Sequence, residues 1–155
     1  MTFLYRKACE SDLEMLADMA LALNQQHDDE TRPDPKNLHE NWNMFDVYVC
    51  EQNNVIIGFV SGCLTYNFHM GWKRYEIRSL YVIPQTRRLG VAEALIKKLV
   101  QDQYQDGVGF FALEVHEDNK GAVSFYNDIG FKKRPRDHDK YAIYGDDIRK
   151  LLENK

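Results

Sequence analysis

A chain of 155 residues suits one domain and can bury a core without a metal or disulfide staple. With 20 Lys and Arg against 24 Asp and Glu, the net charge of -4 gives no electrostatic case for nucleic acid and favours a cationic or amine partner. Cys9, Cys50 and Cys63 are odd in number and sit in or beside apolar runs, so they read as reduced thiols of a cytoplasmic protein. No apolar run reaches membrane-spanning length, and no apolar core follows the charges near the N-terminus, so neither a membrane nor a secretory leader is expected. One domain spanning residues 1–155 is the expectation.

Phe3 to Ala8 has strand character, and Ser11-Asp-Leu-Glu14 reads as a capping box ahead of a helix carrying Leu13, Leu16, Ala17, Ala20, Leu21 and Leu23. A breaker-rich connection follows through Asp28, Asp29, Glu30 and Arg32-Pro-Asp-Pro35, then a short helix near Lys36 to Asn43. Val47 to Cys50 and Val55 to Val60 flank Gln52-Asn-Asn54, which reads as a hairpin. After the loop Phe68 to Trp72, a strand from Arg74 to Val82 carries Glu76, Arg78, Leu80 and Val82 on one face. Tyr75, Ile77, Ser79 and Tyr81 fall on the other.

Pro84 stops that strand. Beyond Gly90, Ala92, Leu95, Ile96, Leu99 and Val100 mark one face of a helix that runs to about Tyr104. Phe110 to Val115 is nearly continuous apolar sequence, typical of a strand covered on both faces. Asn119 can cap a helix bearing Ala122, Val123, Phe125, Tyr126 and Ile129, with Gly130 as its stop. Phe131 to Lys133 and Lys140 to Tyr144 read as last strands, and Asp146 to Leu152 as a closing helical turn or two. Together these give an α/β fold: a mixed central sheet of about seven strands flanked by about four helices.

Between the strand ending at Ile83 and the helix lie Arg87 and Arg88. Two guanidinium groups beside the free amides of a helix start form an anion site, most naturally for phosphate, and Gly90 admits close approach to the backbone. Neither the Gly-Lys-Ser/Thr end of a Walker loop nor a Gly-x-Gly-x-x-Gly fingerprint is present.

The run Arg87-Arg88-Leu89-Gly90-Val91-Ala92 resembles the acyl-CoA pyrophosphate loop of the GNAT acetyltransferases. Leu113 to Asn119, Phe125-Tyr126 and Ile129-Gly-Phe131 resemble the second half of that family's signature. The resemblance covers most of residues 74 to 131 and implies the GNAT (acyl-CoA N-acyltransferase) fold, with acetyl transfer from acetyl-CoA to a primary amine. It implies that Arg87, Arg88 and the amides from Leu89, Gly90, Val91 and Ala92 hold the pyrophosphate, that Leu80, Tyr81 and Val82 pair with the pantetheine arm, and that Asn119 and Tyr126 complete the cofactor side. Tyr126 resembles the family's general acid, and a phenol near pKa ~10 exchanges a proton with a thiol near ~8.5 with little mismatch.

Two carboxylates compete for the base. Glu114 matches the base position of ribosomal-protein N-terminal acetyltransferases and sits oddly in an apolar strand, where an unpaired carboxylate is costly. Glu76 is placed at the open end of its strand, and a water relay is a third route. The length and the tail from Asp139 also resemble the diamine (spermidine/spermine) acetyltransferase branch, although that branch has glutamate where Arg78 aligns here. Asp28, Asp29 and Glu30 then read either as a polycation lure or as a solvated loop.

The five histidines, His27, His39, His69, His116 and His138, have no ligand spacing, so no metal is expected, and His116 reads as a solvent-facing strand-end residue. A non-catalytic acyl-CoA-binding sensor of the same fold is the alternative to an enzyme. β-Prone residues near the C-terminus suggest a homodimer.

Overall fold

Asn53 and Asn54 take φ angles of 52° and 63°, the paired left-handed conformation that a two-residue hairpin turn requires. They join β2 (Asp46–Gln52) to β3 (Val55–Asn67) in a computed structural model that describes residues 2–135, 143 and 145–153. The described chain forms two compact units, Met1–His116 and Glu117–Lys155.

In the first unit, β1 (Leu4–Lys7), β2, β3, β4 (Trp72–Val82) and β5 (Phe111–Leu113) form one sheet in chain order. All neighbours are antiparallel except β4 and β5, which are parallel and joined by α3 (Val91–Gln105). One face packs Val47, Val49, Phe59 and Tyr81 against Leu16 and Met19 of α1 (Leu13–Gln25). On the other face α3 packs on β2, β3 and β4, where Tyr48, Val60 and Tyr75 of the strands and Leu95 and Leu99 of the helix are all essentially inaccessible to solvent. A polar knot closes that side: Tyr75 Oη donates to Asp46 Oδ2 (3.2 Å), Gln103 Nε2 donates to Asp46 Oδ2 and Tyr48 Oη (3.4 Å each), and Lys7 Nζ sits 2.5 Å from Asp46 Oδ1. Burial is the main force pushing the Tyr75 phenol far above its ordinary value.

Helix α1 does not begin on the Ser11…Glu14 box. A short 3₁₀ turn, Glu10–Asp12, precedes it, and Asp12 Oδ2 reaches back to the amide of Cys9 (2.8 Å). The carboxylate that wins is the one already gripped by Arg6, whose Nη1 and Nη2 donate to both Asp12 oxygens at 2.7 and 3.0 Å. Helix α2 (Pro35–Glu40) is capped by Asp34, which accepts from the amide of Lys36 (3.0 Å).

The alternation expected along β4 is overturned. Ser61 pairs with Ser79 but Gly62 pairs with Ile77, so Arg78 is an extra residue, a β-bulge. Tyr75 and Ile77 therefore share the α3 face with Leu80 and Val82, while Glu76 shares the opposite face with Ser79 and Tyr81. Gly62 permits it: a Cβ there would lie 2.5 Å from the carbonyl oxygen of Glu76 and against the Tyr75 ring.

Strand β5 is shorter than the predicted Phe110–Val115, because its pairing with β4 covers only Phe111–Leu113 opposite Tyr75–Ile77 and stops at the bulge. Its residues are half-buried rather than covered on both faces. Five strands rather than seven are present among the described residues: Phe131 to Lys133 are not a strand, and the strand expected at residues 140–144 lies outside the described residues. In the second unit are α4 (Lys120–Asp128) and α5 (Asp146–Glu153).

Candidate functional site

The bulge decides which backbone groups β4 offers. Ile83 donates its amide to Ile57 O across the β3 side (2.9 Å), so a period of two turns Tyr81 and Ser79 towards β3 and Leu80 and Val82 away from it. Pairing with β5 has ended by then, so the outward groups of Leu80 and Val82 have no strand opposite them among the described residues. Tyr81 is turned inward and packs in the core below α1. Of the three predicted strand residues, Leu80 thus turns both of its backbone groups outward, and Val82 its amide, its carbonyl being taken by Arg87.

A 3₁₀ turn at Pro84–Thr86 carries the chain from that edge to α3. Arg87 Nε donates to Val82 O (2.9 Å), and its guanidinium lies 5.9 Å from the Tyr81 ring centroid, so one arginine pins the turn to the strand end. That bond leaves both Nη groups for another acceptor. Arg88 stands exposed at φ 62°. The N-cap of α3 is Gly90, at φ 79°, with no side-chain cap, and nothing lies within 4 Å of where its Cβ would be. Hence the amides of Val91, Ala92 and Glu93 open a 15-residue helix with no side chain bonded to its start, the one first-turn carboxylate, Glu93, pairing with Lys97 (2.6 Å), next to exposed Leu89 and two arginines. These residues fit a phosphate group: open donors, permanent cations and no side chain in the way.

Both candidate bases lie in the first unit. Glu76 pairs with Ala112 across β4 and β5. Glu76 is not at an open strand end: it lies where β4 is paired on both flanks, its side chain is 14% exposed, and Arg74 Nε forms an ion pair with its Oε1. Glu114 lies just beyond the end of β5 and is exposed, so the cost of burying a carboxylate that singled it out does not arise. Ser61, Cys63 and Ser79 share a sheet face with Glu76. Arg78, the bulge residue, is exposed.

In the second unit Asn119 caps α4, its Oδ1 accepting from the amide of Ala122 (3.1 Å). The far end is a Schellman stop. Gly130, at φ 102°, donates to Asn127 O (3.1 Å), and Phe131 donates to Tyr126 O (2.9 Å). The accompanying apolar contact is Tyr126 on Phe131, with ring centroids 5.9 Å apart, and Phe125 lies 5.1 Å away on another side. Burial pushes the Tyr126 phenol above its ordinary value, which keeps it protonated, and its hydroxyl makes no hydrogen bond among the described residues.

Asp29 Oδ1 accepts from the amide of Thr31 (2.8 Å), and Glu30 Oε2 accepts from Gln25 Nε2 (2.9 Å). No cluster of His, Cys, Asp and Glu among the described residues can hold a metal ion, and no helix among them is long and apolar enough to cross a membrane. His116 is exposed, and His138 lies outside the described residues. Two features escaped the sequence reading, the Arg78 bulge and the bond from Arg87 to Val82. A glycine facing a tyrosine across a hairpin was the available signal for the first.

A mixed sheet that opens beside an uncapped, arginine-flanked helix start defines an α/β protein of the acyl-CoA N-acyltransferase fold. Residues 13–131 match the Acetyltransferase (GNAT) family, and the chain belongs to it. An uncharacterized N-acetyltransferase of Methanocaldococcus jannaschii is 32% identical over 88 residues, which is 56% of this chain and 39% of that relative's length. Among solved structures, an aminoglycoside acetyltransferase from an uncultured soil metagenomic sample, in complex with trehalose, superposes with a TM-score of 0.79 at 19% identity, covering 92% of this chain and 97% of the other. AAC(6′)-Iy, in complex with the bisubstrate analogue CoA-S-monomethyl-acetylneamine, gives 0.76 at 18% identity, covering 93% and 100%.

Proposed function

We propose that residues 1–155 work as a single N-acetyltransferase domain that transfers the acetyl group of acetyl-CoA directly to a primary amine. The observation that carries this reading is the uncapped start of α3, tied by Arg87 to the strand end where Leu80 and Val82 turn their backbone outward. Acetyl-CoA supplies the acetyl group already activated as a thioester. Arg87, Arg88 and the amides from Leu89 to Ala92 hold its pyrophosphate, the outward backbone of Leu80 and the amide of Val82 take its peptide-like arm, and one of those amides polarises the reacting carbonyl. Tyr126 gives its hydroxyl proton to the departing sulfur, a role suited to a phenol kept protonated by burial and bonded to no other described group. Glu114 takes the proton from the acceptor ammonium, and its exposure lets it pass that proton on to solvent.

The acceptor is a small-molecule or exposed protein amine. Polyamines have the weaker case, since exposed Arg78 stands where the diamine branch has a carboxylate. The aminoglycoside acetyltransferases among proteins of this fold put amino sugars first among acceptors to test. The free thiols of Cys9, Cys50 and Cys63 support a cytoplasmic setting. Release of CoA, followed with a thiol reagent across aminoglycosides, amino acids, peptide N-termini and polyamines, tests the reading. Binding of acetyl-CoA with no release on any amine would instead make the chain a sensor of the cofactor.

A further inference from the structure

Beyond Gly62 the long hairpin outruns its sheet. β2 ends opposite Gly62, whereas β3 continues to Asn67, so among the described residues 63–67 have a strand neighbour only on the β4 side. The register fixes where their backbone points. Tyr75 donates its amide to Phe110 O, away from β3, so Leu64 opposite it is in a non-hydrogen-bonded pair and turns its own N–H and C=O outward. Tyr66 does the same, and Thr65 between them faces β4. The edge thus presents two donors and two acceptors in a row.

Exposed edges are usually blunted by proline, lysine or an inward charge. Cys63-Leu-Thr-Tyr-Asn67 has none of these, and the nearest cations, Lys73 and Arg74, lie on the inner strand. The side chains around it are large, apolar and uncovered: Leu64 49% exposed, Tyr66 62%, Phe68 91% and Met70 59%. At ~200 Å² for each large side chain, they offer ~500 Å² per chain and ~1,000 Å² for two, before any backbone is counted. That reaches the ~1,000 Å² a specific interface needs.

We propose that this edge is a homodimer contact, in which β3 pairs antiparallel with β3 of a second copy about a two-fold axis through Thr65. Identical antiparallel strands make a self-complementary contact of the kind a two-fold axis demands. In this register Leu64 lies opposite the second copy's Tyr66 and exchanges two backbone hydrogen bonds with it, and the axis repeats the exchange, giving four. Thr65 meets its own copy as a non-hydrogen-bonded pair with Cβ atoms ~4.5–5.5 Å apart. A second copy fits better than a charged partner, because the segment is neutral, no like charges are brought together, and the facing pair is aromatic on aliphatic. This pairing uses residues of the first unit and is independent of the acetyl-transfer reading.

Sedimentation velocity on the full chain at micromolar concentration should give a dimer. The double variant Leu64→Lys, Tyr66→Lys sets like charges opposite each other and should give a monomer that still unfolds cooperatively, at a Tm that does not depend on protein concentration, with unchanged CoA release. As a second measurement, in a Cys9→Ser background that removes the exposed thiol, Thr65→Cys should form an intermolecular disulfide under mild oxidation, while the same background with Thr65 kept, with Cys63 off the axis, should not. A wild-type monomer, a dimer that survives the double variant, or a dimer in which Thr65→Cys forms no cross-link overturns the proposal. So does a monomer whose edge instead captures an extended peptide or lipid vesicles.

Discussion

Replacing Gly62 by alanine tests the bulge on which the proposed ligand edge depends. The new Cβ would stand 2.5 Å from the carbonyl oxygen of Glu76, about an ångström inside the ~3.5 Å of ordinary contact, and it would also meet the Tyr75 ring. Neither neighbour yields easily: the carbonyl belongs to an inner strand, and Tyr75 is wholly buried with its hydroxyl bonded to Asp46. Overpacking of this kind costs ~3 kcal/mol, the upper end of its usual range. The lower entropy of the unfolded alanine chain returns ~0.4–1 kcal/mol. A net loss of ~2 kcal/mol lowers Tm by ~4–8 °C for a chain of this size. Circular dichroism melts of Gly62→Ala should show that drop, with Gly109→Ala, where nothing lies within 4 Å of the added carbon, as the unaffected control. CoA release should fall too, since strain at the bulge moves the amides of Leu80 and Val82. A Gly62→Ala protein as stable as the parent would refute the close approach and the bulge argument built on it.

Tyr126→Phe should lower kcat by ~10²–10⁴, the general-acid range, and leave acetyl-CoA affinity and Tm nearly unchanged, since the hydroxyl has no described partner to lose; a drop below threefold would mean that another group supplies the proton. Because burial raises the Tyr126 phenol, the alkaline fall in wild-type kcat should lie above the ordinary phenol value of 10.0, and a limb well below it would point to a different acid. Arg87→Ala should raise KM for acetyl-CoA by the equivalent of ~1–3 kcal/mol in a salt-sensitive way, and unchanged affinity would remove the arginine from the phosphate site. The Arg6 guanidinium is the main cause holding the Asp12 carboxyl below its ordinary 3.8, so this stability is present above that value and is lost as pH falls through the depressed folded one. Urea midpoints measured from neutral pH downwards should therefore decline less steeply for Asp12→Asn than for the parent.

Local signals carried much of the architecture into the sequence. The periodicity of Leu95, Ile96 and Leu99 marked the α3 face that is buried, and Asn119 and Gly130 marked the two ends of α4 because caps are made by neighbours in the chain. The features that went unread are long-range. Which face of β4 Leu80 occupies depends on Gly62, eighteen residues earlier, and strict alternation cannot announce an extra residue. Glu114 looked buried because its neighbours are apolar, yet β5 stops at Leu113 once β4 has no more partner positions to offer. Likewise Ser11 and Glu14 have the spacing of a cap, but Asp12 is held by Arg6 and takes the Cys9 amide.

The stop of α4 ties the proposed acid to the fraying of a helix. Tyr126 contributes its carbonyl to the bond from Phe131 and its ring to the contact with the same residue, so backbone and side chain are fastened at one point. Final turns of helices open at far lower free energy than sheet cores. On heating, the last turn of α4 loosens first, and the phenol loses its seat while the five strands are still paired. Inactivation then precedes the unfolding seen by circular dichroism, and the interval between the two temperatures measures how firmly Gly130 and Phe131 close that helix.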